Sequence, residues 1–161
     1  MGKLTTRLFI LCGKIAAGKT TLSHKLAKDQ SAILISQDQW MSTLYPDEVQ
    51  DLKDYVKYSN RLDAVIGPHV KSLLTQSISV VMDFPANTLE QRAWLKGLAD
   101  EAGVVHQLYF LDVSDDVCKE RLRERNASGE HPYDVSEAIF DQFNKYFVAP
   151  TADENLNVIV L

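Results

Sequence analysis

Residues 13–20 read Gly-Lys-Ile-Ala-Ala-Gly-Lys-Thr, the pattern G-x-x-x-x-G-K-[ST], and they fall between a nearly unbroken apolar run and an amphipathic stretch. The run Arg7-Leu8-Phe9-Ile10-Leu11-Cys12 has the character of a central parallel strand, buried on both faces, while Leu22, Leu26 and Ala27 mark one face of a following helix. A polyphosphate carries several negative charges and needs donors on all sides. Gly13 and Gly18 allow backbone angles that turn successive N–H groups inward, and the N-terminus of the helix adds its partial positive charge. The backbone of Lys14, Ala16, Ala17 and Gly18 then lines the phosphate chain. Lys19 reaches the β- and γ-phosphates, the Thr20 hydroxyl ligates Mg²⁺, and Thr21 sits beside it in the first turn. The alternative is a glycine turn before an ordinary helix. The strand–loop–helix context favours a nucleoside-triphosphate site.

The rest of the chain is consistent with an α/β fold. Apolar runs at 7–12, 32–36, 78–83, 105–112 and 157–161 alternate with helical stretches, which predicts a five-stranded, mainly parallel sheet. A helical region is expected from Asp47 to Gln76, kinked or split at Gly67-Pro68 because proline lacks the backbone donor. Thr88 and Ser114 have the form of helix N-caps. Residues 126–135, with Gly129 and Pro132, interrupt two helices, and a lid is expected at about 126–136. At 161 residues and 45% hydrophobic content the chain suits one domain, 1–161. It lacks a long apolar span and the order of a signal peptide, so no membrane association and a cytoplasmic location are expected. Cys12 and Cys118 read as buried free thiols. His24, His69, His106 and His131 show no metal-ligand spacing.

In open parallel sheets ligands bind beyond the carboxyl ends of the strands, where three acids lie. Asp38 follows the second strand and is assigned to the acceptor hydroxyl as its base; the competing role is a turn or helix-cap aspartate. Asp83 ends Val80-Val81-Met82-Asp83 and is assigned to the Mg²⁺ shell. Asp112 reads as a loop carboxylate capping the next helix. Arg121 and Arg125 are four apart, on one helix face just before the expected lid. There they either neutralise charge on a transferred phosphoryl group or form a solvated helix end. Trp40 and the tyrosines at 45, 55 and 58 either wall an acceptor pocket or pack in the core. Arg61 and Arg92 are candidate acceptor-side cations.

These motifs resemble those of the small P-loop kinases of the adenylate-kinase-like group, most closely the kinase domains of polynucleotide kinases, chloramphenicol phosphotransferase and the zeta toxins. The resemblance rests on 13–20, Ser36 with Asp38, Asp83, Arg92, and Arg121-Leu122-Arg123-Glu124-Arg125 with the lid after it. It implies a three-layer P-loop NTPase fold with the third strand beside the first, so that Asp83 neighbours the loop. It further implies that Arg121 packs on adenine, that Arg125 touches donor phosphates and that Asp38 activates the acceptor.

Together these features predict an ATP-dependent phosphotransferase acting on a hydroxyl of a small molecule, with ATP and Mg²⁺ as cofactors. A polynucleotide or nucleoside 5'-hydroxyl kinase is the first alternative, and a nucleotide-dependent switch or ATPase module the second. The net charge of −5 and the excess of acids on the acceptor side disfavour long nucleic acid, and Asn144-Lys145-Tyr146-Phe147 lacks the aspartate of a guanine signature. The oligomeric state is left open.

Overall fold

The computed structural model describes residues 5–130 and 134–161. Five strands, β1 (Arg7–Cys12), β2 (Ile33–Ser36), β3 (Val80–Asp83), β4 (Val105–Phe110) and β5 (Val158–Val160), pair in the order β2-β3-β1-β4-β5. All four pairings are parallel. Between the strands run α1 (Lys19–Asp29), α2 (Gln37–Leu44), α3 (Leu52–Thr75), α4 (Leu89–Ala102), α5 (Asp115–Ser128) and α6 (Glu137–Asn144).

Alternation along β1 explains why its residues are apolar throughout. Leu8, Ile10 and Cys12 face a core built with Leu62, Ile66, Val70 and Leu74 of α3 and Leu95 and Leu98 of α4, whereas Phe9 and Leu11 face Leu26 of α1. A strand covered on both faces has no position that tolerates a charge. A third cluster joins Ala17 of the 13–20 loop to Cys118 and Leu122 of α5 and Phe140 of α6. Both cysteines are free and buried, and His106 is a packed histidine whose Nε2 accepts from the Asn157 N–H at 3.1 Å.

Three expected boundaries are corrected. Asp47 does not open the long helix: it lies in a turn, and α3 begins at Leu52, capped by Asp51, whose Oδ1 accepts from the Asp54 N–H at 2.8 Å. Gly67-Pro68 does not split that helix, which runs for 24 residues. The buried stripe Leu62, Ile66, Val70 and Leu74 continues through the proline. Its burial outweighs the roughly 3 kcal/mol that a mid-helix proline costs. Asn126 to Ser128 still belong to α5, which ends at Gly129 with φ +67°. In the expected lid, residues 131–133 lie outside the described residues. Its flanks are tied, because the Asn126 side chain donates to the Val135 carbonyl at 2.6 Å and accepts from the Val135 N–H at 3.3 Å.

Arg92, expected on the acceptor side, is instead a structural clamp. It is fully buried. Its Nε and Nη2 donate to Glu154 at 2.7 and 3.0 Å, and its Nη1 donates to the Ala86 and Val148 carbonyls at 3.0 and 2.7 Å. With these donors engaged in the interior, Arg92 is not available to an acceptor. Glu154 in turn accepts from the Thr151 N–H at 2.8 Å, so one guanidinium fixes the whole 148–154 connection. Arg92→Leu is expected to cost about 3 kcal/mol, because the half-buried Glu154 carboxylate and two carbonyls lose their partner. Urea unfolding of the variant, read against the parent, measures this directly.

Candidate active site

The 13–20 loop is shaped by two different constraints. Gly18 has φ +105° and serves as the N-cap of α1, a conformation that favours glycine. Gly13 sits in close quarters: a Cβ there would lie 3.2 Å from the Leu111 carbonyl oxygen and 3.2 Å from the Ala17 Cβ, so the neighbours would have to give way. Ala16 also adopts positive φ, +62°, a strain the sequence pattern does not reveal. The Lys19 ammonium donates to the Gly13 and Lys14 carbonyls at 2.6 and 2.8 Å, so the loop curls around its own lysine. Burial pulls the Lys19 pKa below its usual value, and the nearby Asp83 and Asp38 carboxylates oppose that shift. The Lys14 side chain leaves the loop to pair with Asp115 at 2.6 Å and lies over the Phe147 ring, so Lys14 offers the loop only its backbone.

Thr20 Oγ1 donates to Asp83 Oδ2 at 3.0 Å, which places a hydroxyl and a carboxylate side by side beyond β1 and β3. Burial raises the Asp83 pKa, while Thr20 and Lys19 act the other way. Hard oxygen donors beside a phosphate loop suit Mg²⁺, which is held through one or two carboxylates, water and phosphate oxygens. Thr20 and Asp83 therefore fit that ion. Among the described residues no cluster of three or more His, Cys, Asp or Glu offers an all-protein cage.

Asp38 lies two residues past Ser36, which is paired in register with Asp83. The cap of α2 is Ser36, whose side chain accepts from the Gln39 N–H, so Asp38 is not the helix cap. Its charge acts on Lys19, Asp83 and Arg125 alike. On α5, Arg121 donates to the Ala17 carbonyl at 3.2 Å and lies over the phosphate loop. Arg125 is half-buried, and its Nε is buried with no hydrogen-bond partner among the described residues. Burial lowers its pKa against the attraction of Asp38 and Asp134. A buried guanidinium donor without a partner is a place where an acceptor oxygen of a bound anion would be stabilised.

The structure thus brings together Lys19, Thr20, Asp83, Asp38, Arg121 and Arg125. Trp40 sits on α2, a helix the sequence did not predict, and is 39% exposed. Tyr45 and Tyr58 pair at 4.5 Å between centroids, with Lys57 and Arg61 over the Tyr58 ring. Asp112 does not cap α5, a task taken by Ser114, which accepts from the Val117 N–H. Sequence reasoning missed Asn87. Its Oδ1 accepts from the Gly13 N–H at 3.0 Å, and its carbonyl accepts from the Val148 N–H at 2.8 Å, so it ties the phosphate loop to the segment clamped by Arg92. Its place just beyond β3 was the available signal.

The family model of AAA_33, an AAA domain, matches residues 8–150. The chain belongs to the AAA_33 family. No curated protein matches it. Among solved structures it is similar to a putative kinase from Chloroflexus aurantiacus J-10-fl, with 21% identity, TM-score 0.74, and 99% of this chain and 86% of that one covered. The Mycobacterium tuberculosis APS kinase CysC, in complex with AMPPNP and APS, is 18% identical with TM-score 0.62, and the match covers 97% and 88% of the two chains. Kti12 of Chaetomium thermophilum, in complex with ADP-AlF3, is 16% identical with TM-score 0.68, covering 96% and 88%. At such identities the likeness speaks for the fold. This AAA_33 chain has the fold of a small P-loop kinase, with the third strand beside the first as the resemblance implied. Among its described residues no helix is long and apolar enough to cross a membrane.

Proposed function

We propose that the protein is an ATP-dependent phosphotransferase that moves the γ-phosphoryl group to a hydroxyl of a small molecule. The observation that carries this reading is the setting of Asp38. It is released from helix capping by Ser36 and acts electrostatically on Lys19 of the phosphate loop and on Arg125 before the lid. A switch that only binds nucleotide needs no carboxylate there. In the proposed reaction the acceptor O–H gives its proton to the Asp38 carboxylate, the acceptor oxygen forms a bond to the γ-phosphorus, and the bond from that phosphorus to the β,γ-bridging oxygen breaks to leave ADP. Lys19 and Arg125 neutralise charge on the transferred group, and Arg121 holds the loop through Ala17. Mg²⁺, held through Thr20 and Asp83, would supply charge neutralisation of the phosphates.

The acceptor is read as small because acids outnumber bases along the acceptor-side stretch 38–92, and a polynucleotide needs a phosphate track. The kinase neighbours are consistent with group transfer. Mass-shift screening of pooled nucleosides, sugars, antibiotics and oligonucleotides with terminally labelled ATP tests both points. A phosphorylated small molecule is expected. Salt-dependent binding and 5'-phosphorylation of oligonucleotides would favour the polynucleotide reading instead. Asp83→Asn is expected to raise the Mg²⁺ concentration for half-maximal rate by on the order of tenfold, since the group beside Thr20 loses its charge. A Mg²⁺ titration of the rate checks this.

A further inference from the structure

The first residue of the phosphate loop is held from outside the loop. Gly13 is buried, and its N–H donates to Asn87 Oδ1 at 3.0 Å. The Cys12 thiol approaches the same oxygen at 3.7 Å. The Gly13 carbonyl in turn accepts from the Lys19 ammonium at 2.6 Å, so Gly13 is fixed by one bond to Asn87 and one to the lysine that the loop encloses. Bonds at both its N–H and its carbonyl set where the peptide planes on either side of Gly13 lie. The path of the loop residues that follow starts from there.

Asn87 is itself fixed through its backbone. It lies in the connection between β3 and α4, where its N–H donates to Gln91 Oε1 in the first turn of α4 at 2.9 Å and its carbonyl accepts from the Val148 N–H at 2.8 Å. The buried Arg92 guanidinium holds the carbonyls of Ala86 and Val148, at 3.0 and 2.7 Å, on either side of this contact. The next loop residue leans on the same connection. The Lys14 ammonium pairs with Asp115 at 2.6 Å and lies 5.5 Å from the centroid of the Phe147 ring. Two consecutive loop residues thus rest on two consecutive residues of the 147–148 segment, Gly13 through Asn87 and Lys14 directly.

We infer that Asn87 is a positioning residue for the nucleotide: its Oδ1 fixes Gly13, and through Gly13 the amides and the Lys19 ammonium that receive the polyphosphate. This rests on the reading of 13–20 as a nucleotide site, and not on the identity of the acceptor. A cradle already in its bound shape loses little freedom on binding, so holding it there raises affinity. If Oδ1 is removed, the buried Gly13 N–H is left unpaired and its peptide must turn toward another acceptor. That turn also disturbs the Gly13 carbonyl that Lys19 holds.

The test compares Asn87→Leu, which removes the acceptor at similar size, with Asn87→Asp, which keeps an acceptor there. Two readouts are taken: the Kd for ADP by calorimetry, and exchange of the Gly13 amide in the nucleotide-free protein by NMR. Asn87→Leu is expected to raise the Kd about tenfold and to speed exchange at Gly13, as the loss of one such hydrogen bond implies. Asn87→Asp is expected to exchange at Gly13 like the parent, because its carboxylate accepts the same bond; its added charge opposes ADP, so exchange is the readout for this variant. The inference is overturned if the Kd of Asn87→Leu equals that of the parent, whatever happens to its melting temperature, or if Gly13 exchanges as fast in Asn87→Asp as in Asn87→Leu. Should Asn87→Leu not fold, Gln91→Leu takes its place, because it removes the acceptor of the Asn87 N–H. A rise in Kd of about threefold is then expected, with Gln91→Glu restoring the parent value, and no rise would overturn the inference equally. A parent that binds ADP yet phosphorylates no acceptor ends the kinase reading and leaves this inference standing. A parent that binds no ADP ends both.

Discussion

Lys19→Ala is expected to abolish phosphoryl transfer. The Lys19 ammonium is the side-chain cation enclosed by the loop, held by the Gly13 and Lys14 carbonyls at 2.6 and 2.8 Å, and burial, which pulls its pKa down, makes its charge depend on a nearby anion. Without it, charge on the β- and γ-phosphates and on the transferred group is met only by backbone dipoles. A loss on the order of 10²- to 10³-fold or more follows from removing a preorganised donor at such a site. The fold should survive, since the lost bonds are to two carbonyls of the loop itself. Steady-state transfer and a thermal melt on the same preparation separate the two effects. Turnover of ATP at the parent rate would remove the loop from the active site.

Asp38→Asn is expected to keep ATP affinity and cut transfer, by on the order of 10²-fold or more for a lost general base. The substitution keeps the shape of the side chain and leaves the Ser36 cap of α2 intact, so helix placement is unchanged. Nucleotide binding by calorimetry, set beside the transfer rate, discriminates between roles. Equal losses in affinity and rate would move Asp38 to the metal or to the architecture of the loop.

Much of this site was legible because its signals are local. The phosphate loop needs its glycines and lysine at fixed spacing, β1 must be apolar on both faces, and Thr88 and Ser114 cap their helices through bonds three residues away. Thr20 was assigned to the metal from the loop pattern and Asp83 from its place at a strand end, and the Thr20 hydroxyl lies 3.0 Å from the Asp83 carboxylate. Other features depend on partners far along the chain. Arg92 has the look of a surface cation until Glu154, 62 residues later, closes on it. Asn87 is an ordinary loop residue until its carboxamide meets the Gly13 N–H, 74 positions away. Proline at 68 argues locally for a broken helix, and only the continuous burial of Leu62 to Leu74 shows why the helix persists.

The sequence by itself determined the α/β class, the strand succession, the phosphate loop and the acids at the strand ends, because periodicity, capping and glycine geometry act over a few residues. Tertiary structure decided which charged groups gather at the phosphate loop and which serve the fold. It took Arg92 into the interior, left the Arg125 Nε without a partner among the described residues, and set the Gln37 amide oxygen against the Tyr55 hydroxyl. The physical reason is that a charge or amide is costly to bury without partners, and those partners come from distant parts of the chain.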